Sequence, residues 1–119
     1  MKVVYLFTRS AWQPAVDIYR TDEGLLLVIE AYGCEPRDLH IVVERQRVTI
    51  SGHREPPVPA ARWLQGEIAW GAFERVVPLP EPVDPEGARA ETWHGLLLLR
   101  CPVGIRAAHG VRIPVEVLE

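Results

Sequence analysis

Proline and glycine interrupt this chain so often that long helices have little room to form. Its 119 residues include 11 prolines and 9 glycines, and proline is close to twice its usual share of about 5%. Helices need long periodic segments, whereas strands of about four to eight residues fit between such breaks. The best helix candidate, residues 85–89, is one turn at most. The frequent proline and glycine residues therefore favour an all-β domain.

The segments between the breaks have the patterns of strands. Residues 16–19 and 48–51 alternate apolar and polar side chains, and residues 25–32 form a nearly continuous apolar run. Further strand candidates are residues 39–44, 73–79, 96–101 and 111–117, and two weaker candidates are residues 63–68 and 88–93. Seven or eight short strands separated by turn residues predict an antiparallel β-sandwich. A chain of this length is enough for one such domain and too short for two.

Charge and the lengths of the apolar runs exclude several classes of protein. The chain has 13 basic and 16 acidic side chains and a net charge of −3, which gives no electrostatic case for nucleic acid as a partner. Its apolar runs are far shorter than the roughly 20 residues that span a bilayer, and its start lacks the apolar core of a secretory signal. We therefore expect a cytoplasmic protein without nucleic-acid or membrane partners. In that compartment Cys34 and Cys101 are expected to stay free thiols.

The residue patterns nominate no catalytic, cofactor-binding or metal site. The glycine spacing of residues 66–71 is that of a phosphate loop, but Ala72 and Phe73 follow where that loop needs Lys and Ser or Thr. Neither Ser10 nor Ser51 lies in a nucleophile turn, and the four histidines are scattered without metal-type spacing. We therefore predict a protein that is not an enzyme.

Three apolar segments point to binding instead. In the first, Ile113-Pro114-Val115, proline fixes an extended backbone and the two branched side chains lie on the same side. Such a segment can dock on a sheet edge or in a groove and bury both anchors. The alternative is a final edge strand of the same domain. The residues alone leave both interpretations open.

The second segment is the long connection in residues 53–71, which exceeds the usual length of a loop in a compact domain. It carries four large apolar side chains that are costly to leave in water: Trp63, Leu64, Ile68 and Trp70. Their burial requires either another subunit or a loop that folds back on its own domain.

The third segment is the start of the chain, which places apolar side chains ahead of the first clear strand. They include Tyr5, Leu6, Phe7 and Trp12. The segment is either an additional strand or an apolar arm that contacts other molecules.

Several of these residues belong to an ordered set of motifs. In chain order the motifs are Trp12-x-Pro14-x-Val16-Asp17-Ile18-Tyr19, Val48-x-Ile50-x-Gly52-x-Arg54, Trp63-x-x-x-Glu67-x-x-x-Gly71-x-Phe73, Ala90-x-x-x-x-Gly95-x-Leu97 and Ile113-Pro114-Val115. Together they resemble the alpha-crystallin domain of bacterial small heat-shock proteins. The resemblance covers residues 12–115, and the ordered set is specific although each motif alone is weak.

The resemblance implies a fold and a function. The fold is an immunoglobulin-like antiparallel β-sandwich in residues 14–103, with a short arm in residues 1–13 and an extension in residues 104–119 that carries the anchor. The function is that of an ATP-independent holdase, a chaperone that binds partly unfolded client proteins and prevents their aggregation without a cofactor. The family also implies a homodimer, and larger homo-oligomers.

The resemblance further implies how the binding segments are used. The long connection lends a strand to the sheet of a partner, through Trp63, Leu64, Gln65 and Glu67. The C-terminal anchor Ile113-Pro114-Val115 docks in a hydrophobic groove of a neighbour. The groove is walled by Leu39, Ile41 and Val43 on one side and by Ala88, Ala90 and Thr92 on the other. Contacts with clients are expected at Tyr5, Leu6, Phe7 and Trp12.

The main alternative is a protein-interaction module of the CS-domain co-chaperone type, which docks on a larger machine. Such domains share the sandwich but lack both the strand-lending connection and the C-terminal anchor. Both features are present here, and the chaperone interpretation is therefore preferred.

Overall fold

Two β-sheets face each other across one apolar core in the computed structural model, which describes residues 12–58, 62–104 and 110–117. The strands are β1 (Val16–Arg20), β2 (Gly24–Ile29), β3 (His40–Val43), β4 (Arg47–Arg54), β5 (Gly71–Pro78), β6 (Arg89–Trp93), β7 (Leu96–Pro102), β8 (Val111–Ile113) and β9 (Val115–Val117). One sheet has five strands in the order β1-β2-β7-β6-β9, and the other has four in the order β5-β4-β3-β8. Two 3-10 turns, Pro36–Asp38 and Pro85–Gly87, lie between strands.

Alternation of side chains along the strands builds the core. Successive side chains of a strand point to opposite faces of its sheet. In β2, Leu25 and Leu27 are therefore buried between the sheets, while Leu26 on the other face is only half-buried. The buried positions of the two sheets that meet in this way include Leu25, Leu27, Ile29, Ile41, Val43, Val48, Ile50, Leu97 and Leu99. The predicted all-β sandwich is confirmed.

The turn between β6 and β7 depends on a left-handed backbone. His94 has φ of 52° and Gly95 has φ of 82°, which is the pattern of a two-residue hairpin turn. A Cβ atom at position 95 would lie 2.3 Å from a ring carbon of Tyr32. Glycine is therefore needed there for close packing as well as for its backbone conformation.

The structure differs from the predicted strands in four main places. β2 ends at Ile29 instead of residue 32, and β4 continues to Arg54. Residues 63–68 form no strand with the described part of their own chain, because β4 and β5 pair directly at Arg54 and Gly71 and leave the connection outside the sheet. The C-terminal segment forms two strands instead of one, since Pro114 separates them and has no N–H to give to a ladder.

Candidate functional site

The C-terminal segment joins the two sheets of its own chain. β8 pairs antiparallel with β3, and Ile113 lies opposite Ile41. β9 pairs with β6 in a parallel arrangement, and Val115 lies opposite Ala90. Ile113 is buried, and the half-buried Val115 packs against the core. Pro114 sits exposed at the crossing from one sheet to the other.

The residues predicted to wall a groove surround this segment. They are all buried or half-buried: Leu39, Ile41, Val43, Ala88, Ala90 and Thr92. A cleft of about 590 Å³ lies between Leu39 and the segment, and one of about 240 Å³ lies beside Ala88 and Ala90. In this single chain the segment is an edge strand of its own domain. Docking of the anchor in a neighbour's groove stays a prediction.

The excursion, defined as residues 55–70 between β4 and β5, presents apolar side chains outside both sheets. Leu64 is 86% exposed and Ile68 is 56% exposed. Trp63 is half-buried, and its ring packs so closely on Gly66 that a Cβ there would lie 2.4 Å from a ring carbon. The described part of the excursion lines an open cavity of about 640 Å³. Its own domain therefore covers only part of its apolar surface.

The other two residues predicted for strand exchange lie in the same stretch. Gln65 and Glu67 are exposed, and the side-chain amide of Gln65 donates to the carboxylate of Glu67. With Trp63 and Leu64 they form a stretch that bends at Leu64 and pairs with no described strand. Their transfer to a partner's sheet stays a prediction.

Arg54 fixes the base of the excursion, although sequence reasoning assigned it no role. Its Nε–H donates to the carbonyl of Ala69 at 2.8 Å, and Nη1–H donates to the carbonyl of Tyr32 at 2.6 Å. Its guanidinium carbon lies 3.8 Å from the ring centroid of Trp12 and 5.5 Å from that of Trp70. A cation over aromatic faces is attracted to them. Arg54 therefore ties the segment before β1, the turn after β2 and the end of the excursion to one another.

Trp12, predicted as a client contact, is held inside the fold. Its Nε1–H donates to the carbonyl of Gly71 at 3.0 Å, and its ring centroid lies 4.6 Å from that of Phe73. Because the ring is half-buried, only its remaining exposed part is available to a client. The other predicted client contacts fall outside the described residues: Tyr5, Leu6 and Phe7.

The long edge strand β5 is partly covered by the segment that precedes β1. The side-chain amide of Gln13 donates to the carbonyl of Glu74 at 3.2 Å. Arg75 in turn donates from Nη1 to the carbonyl of Pro14 at 2.7 Å. These bonds run along the outer side of β5 and occupy part of its edge.

No strand in the described ranges pairs with the outer edge of β1. The N–H of Glu30 donates to the carbonyl of Ala15 at 3.0 Å, and such pairs recur at every second residue of an antiparallel ladder. The odd-numbered residues of β1 therefore bond to β2, and the backbone groups of Val16, Ile18 and Arg20 face away from it. An edge that no described strand occupies is a template for an added strand.

The chemically reactive side chains are scattered over the described ranges. No group of three or more His, Cys, Asp or Glu side chains in those ranges is placed to hold a metal ion. The helices there are three-residue turns, and none is long and apolar enough to cross a bilayer. Cys34 and Cys101 are free thiols. Burial raises the pKa of Cys101 to about 12 and raises the pKa of Cys34 above its usual value, which disfavours the reactive thiolate.

Comparison with known sequences links this arrangement to one family. The Hsp20/alpha crystallin family profile matches residues 17–117. Spore protein SP21 of Stigmatella aurantiaca is 31% identical over 94 residues, which are 77% of this chain and 56% of that protein. The 18 kDa antigen of Mycobacterium leprae is 33% identical over 98 residues, which are 80% of this chain and 66% of that protein. The chain spans about half the length of the first curated relatives it matches, between 44% and 56%.

Solved structures share the fold. The hspA structure from Xanthomonas axonopodis is 26% identical, with a TM-score of 0.71, and the match covers 79% of this chain and 96% of that one. A small heat-shock protein from Xylella fastidiosa is 24% identical, with a TM-score of 0.70, and the match covers 84% of this chain and 94% of that one. The second likeness concerns the fold alone.

Proposed function

This chain belongs to the Hsp20/alpha crystallin family of small heat-shock chaperones, and on that premise we propose that it is an ATP-independent holdase. It binds partly unfolded proteins and keeps them from aggregating. The observation that carries the proposal is apolar surface that one chain leaves uncovered, above all Leu64 and Ile68 in the excursion. Such surface is expected at a protein-binding site. The proposal places the chain in the cytoplasm, where its free thiols stay reduced.

The same surface supports a homodimer formed by strand exchange. The stretch from Trp63 to Glu67 lies outside its own sheets, and no described strand occupies the edge of β1. Adding the stretch to the β1 edge of a partner would pair its backbone groups and cover Leu64. Because each chain has one excursion and one β1 edge that no described strand occupies, the exchange is reciprocal and closes as a dimer.

Larger assemblies form through the C-terminal segment. Within one chain, Ile113 contacts β3 and Val115 contacts β6, and we expect the same contacts when a neighbour supplies the segment. Burying one Ile and one Val contributes roughly 1.5–3 kcal/mol each, but moving the segment from its own groove to a neighbour's adds no net burial, whereas association costs at least about 4 kcal/mol. A single transferred segment is therefore weak and exchangeable, and stable assembly needs several acting together.

Strand exchange is tested by replacing Trp63 and Leu64 with Ser. The double variant should dissociate at concentrations at which the unchanged chain is a dimer, as measured by sedimentation velocity. Val58→Ser is the matched control, because Val58 is a 60% exposed apolar residue of the excursion outside the exchanged stretch. An unchanged dimer in the double variant would rule out this stretch as the interface.

The holdase activity is tested with a client that aggregates on heating. Light scattering should fall at substoichiometric to equimolar amounts of the chain and without nucleotide, whereas an equal mass of serum albumin should have little effect. No suppression at severalfold excess would contradict the proposal. A monomer that also fails to suppress aggregation would favour the co-chaperone interpretation.

A further inference from the structure

Strands β2 and β7 are more apolar than the sandwich requires. They read Gly-Leu-Leu-Leu-Val-Ile and Leu-Leu-Leu-Leu-Arg-Cys-Pro and lie side by side in the five-stranded sheet. One face of each strand fills the core, so only every second residue has to be apolar. The other face carries Leu26 and Val28 on β2 and Leu96 and Leu98 on β7. These four side chains are not needed for packing between the sheets.

The outward side chains form a continuous surface, which we call the outer apolar band: Leu26, Val28, Leu96, Leu98 and Trp93. Val28 lies opposite Leu98, and Leu96 lies opposite Trp93. Trp93 is 45% exposed, and Tyr19, opposite Leu26, is 51% exposed at the margin. In the described part of the chain, the four-stranded sheet packs on the other face. Leu98 at the centre of the band is only 9% exposed, Leu26, Val28 and Leu96 are half-buried, and Trp93 is the most exposed member.

Carboxylates flank the band on two sides. One row across the sheet runs from Asp17 through Val28 and Leu98 to Glu91 and Glu116. Among the described residues, the outward face carries four carboxylates against two guanidiniums, namely Asp17, Glu30, Glu91 and Glu116 against Arg89 and Arg100. Arg100 is within 3.4 Å of Glu91, which leaves an excess of negative charge around an apolar centre.

We propose that the outer apolar band is a docking surface for client segments in which a short extended apolar run is flanked by Lys or Arg. The proposal deepens the holdase function and rests on it, because it names the clients that one face of the domain takes. From β1 to β6 the face spans three strand spacings, about 14 Å, which is the length of four or five extended residues. The apolar run covers the band, and the flanking cations meet the carboxylates on either side.

The test uses two labelled peptides and the full-length chain. Both peptides share the apolar run Leu-Val-Phe-Leu-Val, which is flanked by two Lys on each side in one and by two Glu on each side in the other. Fluorescence anisotropy at low salt should give about tenfold tighter binding of the Lys peptide, and the preference should shrink in high salt because exposed charges are screened. Equal affinity for the two peptides would overturn the proposal.

The apolar part is tested by replacing Val28 and Leu96 with Thr. Thr keeps a high strand propensity, so far-UV circular dichroism and the melting temperature should show a retained fold. Binding of the Lys peptide should weaken about tenfold, because two apolar contacts are lost. Val76→Thr is the matched control, since Val76 is 51% exposed on the four-stranded sheet, and it should leave the affinity unchanged. Equal weakening by both variants would overturn the proposal.

A second variant keeps the apolar surface and removes charge. Glu30→Gln with Glu116→Gln should bring the affinities of the two peptides closer together without weakening the Glu peptide. Because both residues are exposed, the fold should be unaffected. An unchanged ratio of the two affinities would overturn the electrostatic part of the proposal.

The outcomes separate this proposal from the holdase function. If the unchanged chain suppresses aggregation but shows neither the peptide preference nor the effect of the Thr variant, the band is not the docking surface and the function stands. If the unchanged chain suppresses no aggregation, the function itself fails. A lower assembly mass for the Thr variant in native mass spectrometry, at unchanged peptide affinity, would show that the band binds a second copy of the chain and not a client. Tighter peptide binding by the double variant Leu6→Ser with Phe7→Ser would show that the first residues of the chain itself compete with the peptide for the band.

Discussion

Ile113 lies opposite Ile41 in the antiparallel pairing of β8 with β3, and the two side chains are 5% and 0% exposed. Two residues later, Val115 lies opposite Ala90 on the other sheet. The C-terminal segment therefore covers core residues of both sheets. On the proposed function, a neighbour's segment would fill the groove with the same side chains, and assembly would be an exchange of equivalent contacts between copies.

Replacing Ile113 and Val115 with Gly should reduce any larger assembly to dimers while the sandwich persists. The reason is that both anchors are lost, whereas the paired strands β1 to β7 keep their own core. Native mass spectrometry measures the change. The matched control is Arg112→Gly with Glu116→Gly, which gives the backbone similar freedom but removes only exposed side chains. Assemblies of unchanged mass in the anchor variant would show that other contacts hold them together.

A second prediction concerns the edge of β1: removal of one outward-facing backbone N–H should weaken the dimer. Ile18→Pro deletes an N–H that faces away from β2, so the ladder of β1 with β2 stays intact while an added strand loses a hydrogen bond. The dimer should dissociate at severalfold higher concentration than that of the unchanged chain, as measured by sedimentation equilibrium.

Ile18→Ala is the control for this prediction, because it removes the same side chain and keeps the N–H. Asp17→Pro is the opposite case, since the N–H of Asp17 faces β2 and its loss should lower the melting temperature. Equal dissociation of the Pro and Ala variants at position 18 would exclude β1 as the edge that receives the exchanged strand.

Much of the fold could be predicted from local pattern. The alternation around Ile18 and Ile50 and the apolar runs of β2 and β7 reflect burial of one face, which acts within a few residues. The turn at His94 and Gly95 also follows from two neighbouring residues. Such signals are independent of the rest of the chain, and for that reason they led to the correct all-β sandwich.

Features that depend on distant parts of the chain could not be predicted from local sequence pattern. Residues 63–68 have strand-forming side chains, but a strand needs an edge to pair with, and the described chain offers none beside them. The position of Arg54 over Trp12 joins residues 42 positions apart. Likewise, pattern alone cannot decide whether Ile113 fills the groove of its own chain, because both arrangements bury the same side chain.

Replacing Arg54 should destabilise the fold, even when the new residue is Lys. Lys keeps the positive charge but lacks the planar group that donates at once to the carbonyls of Ala69 and Tyr32. Arg54→Lys should lower the free energy of unfolding by about 1–3 kcal/mol and shift tryptophan emission to the red, since Trp12 loses its cover. Urea titration followed by fluorescence measures both. Arg37→Lys is the control, because the Arg37 side chain is 81% exposed and pairs only with Glu35 among the described residues.

Cys101 should make the fold less stable in alkaline solution. Burial raises the pKa of its thiol to about 12 in the folded chain, from a value of 9.0 without burial. Below pH 9 the thiol is neutral in both states and has no effect. Between pH 9 and 12 the unfolded chain releases a proton that the folded chain retains, so the free energy of unfolding falls as pH rises, by about 1.4 kcal/mol at pH 10.

The measurement compares the unchanged chain with Cys101→Ala in urea at pH 8, 9 and 10. The Ala variant should be less stable at pH 8, because a small cavity replaces the sulfur. Its deficit should then shrink by about 1.4 kcal/mol at pH 10, since only the unchanged chain contains the buried thiol. Other titrating groups, including Cys34 with its own raised pKa, are common to both proteins and cancel in the difference. A deficit that stays constant up to pH 10 would mean that the Cys101 thiol ionises as readily in the folded chain as in the unfolded one.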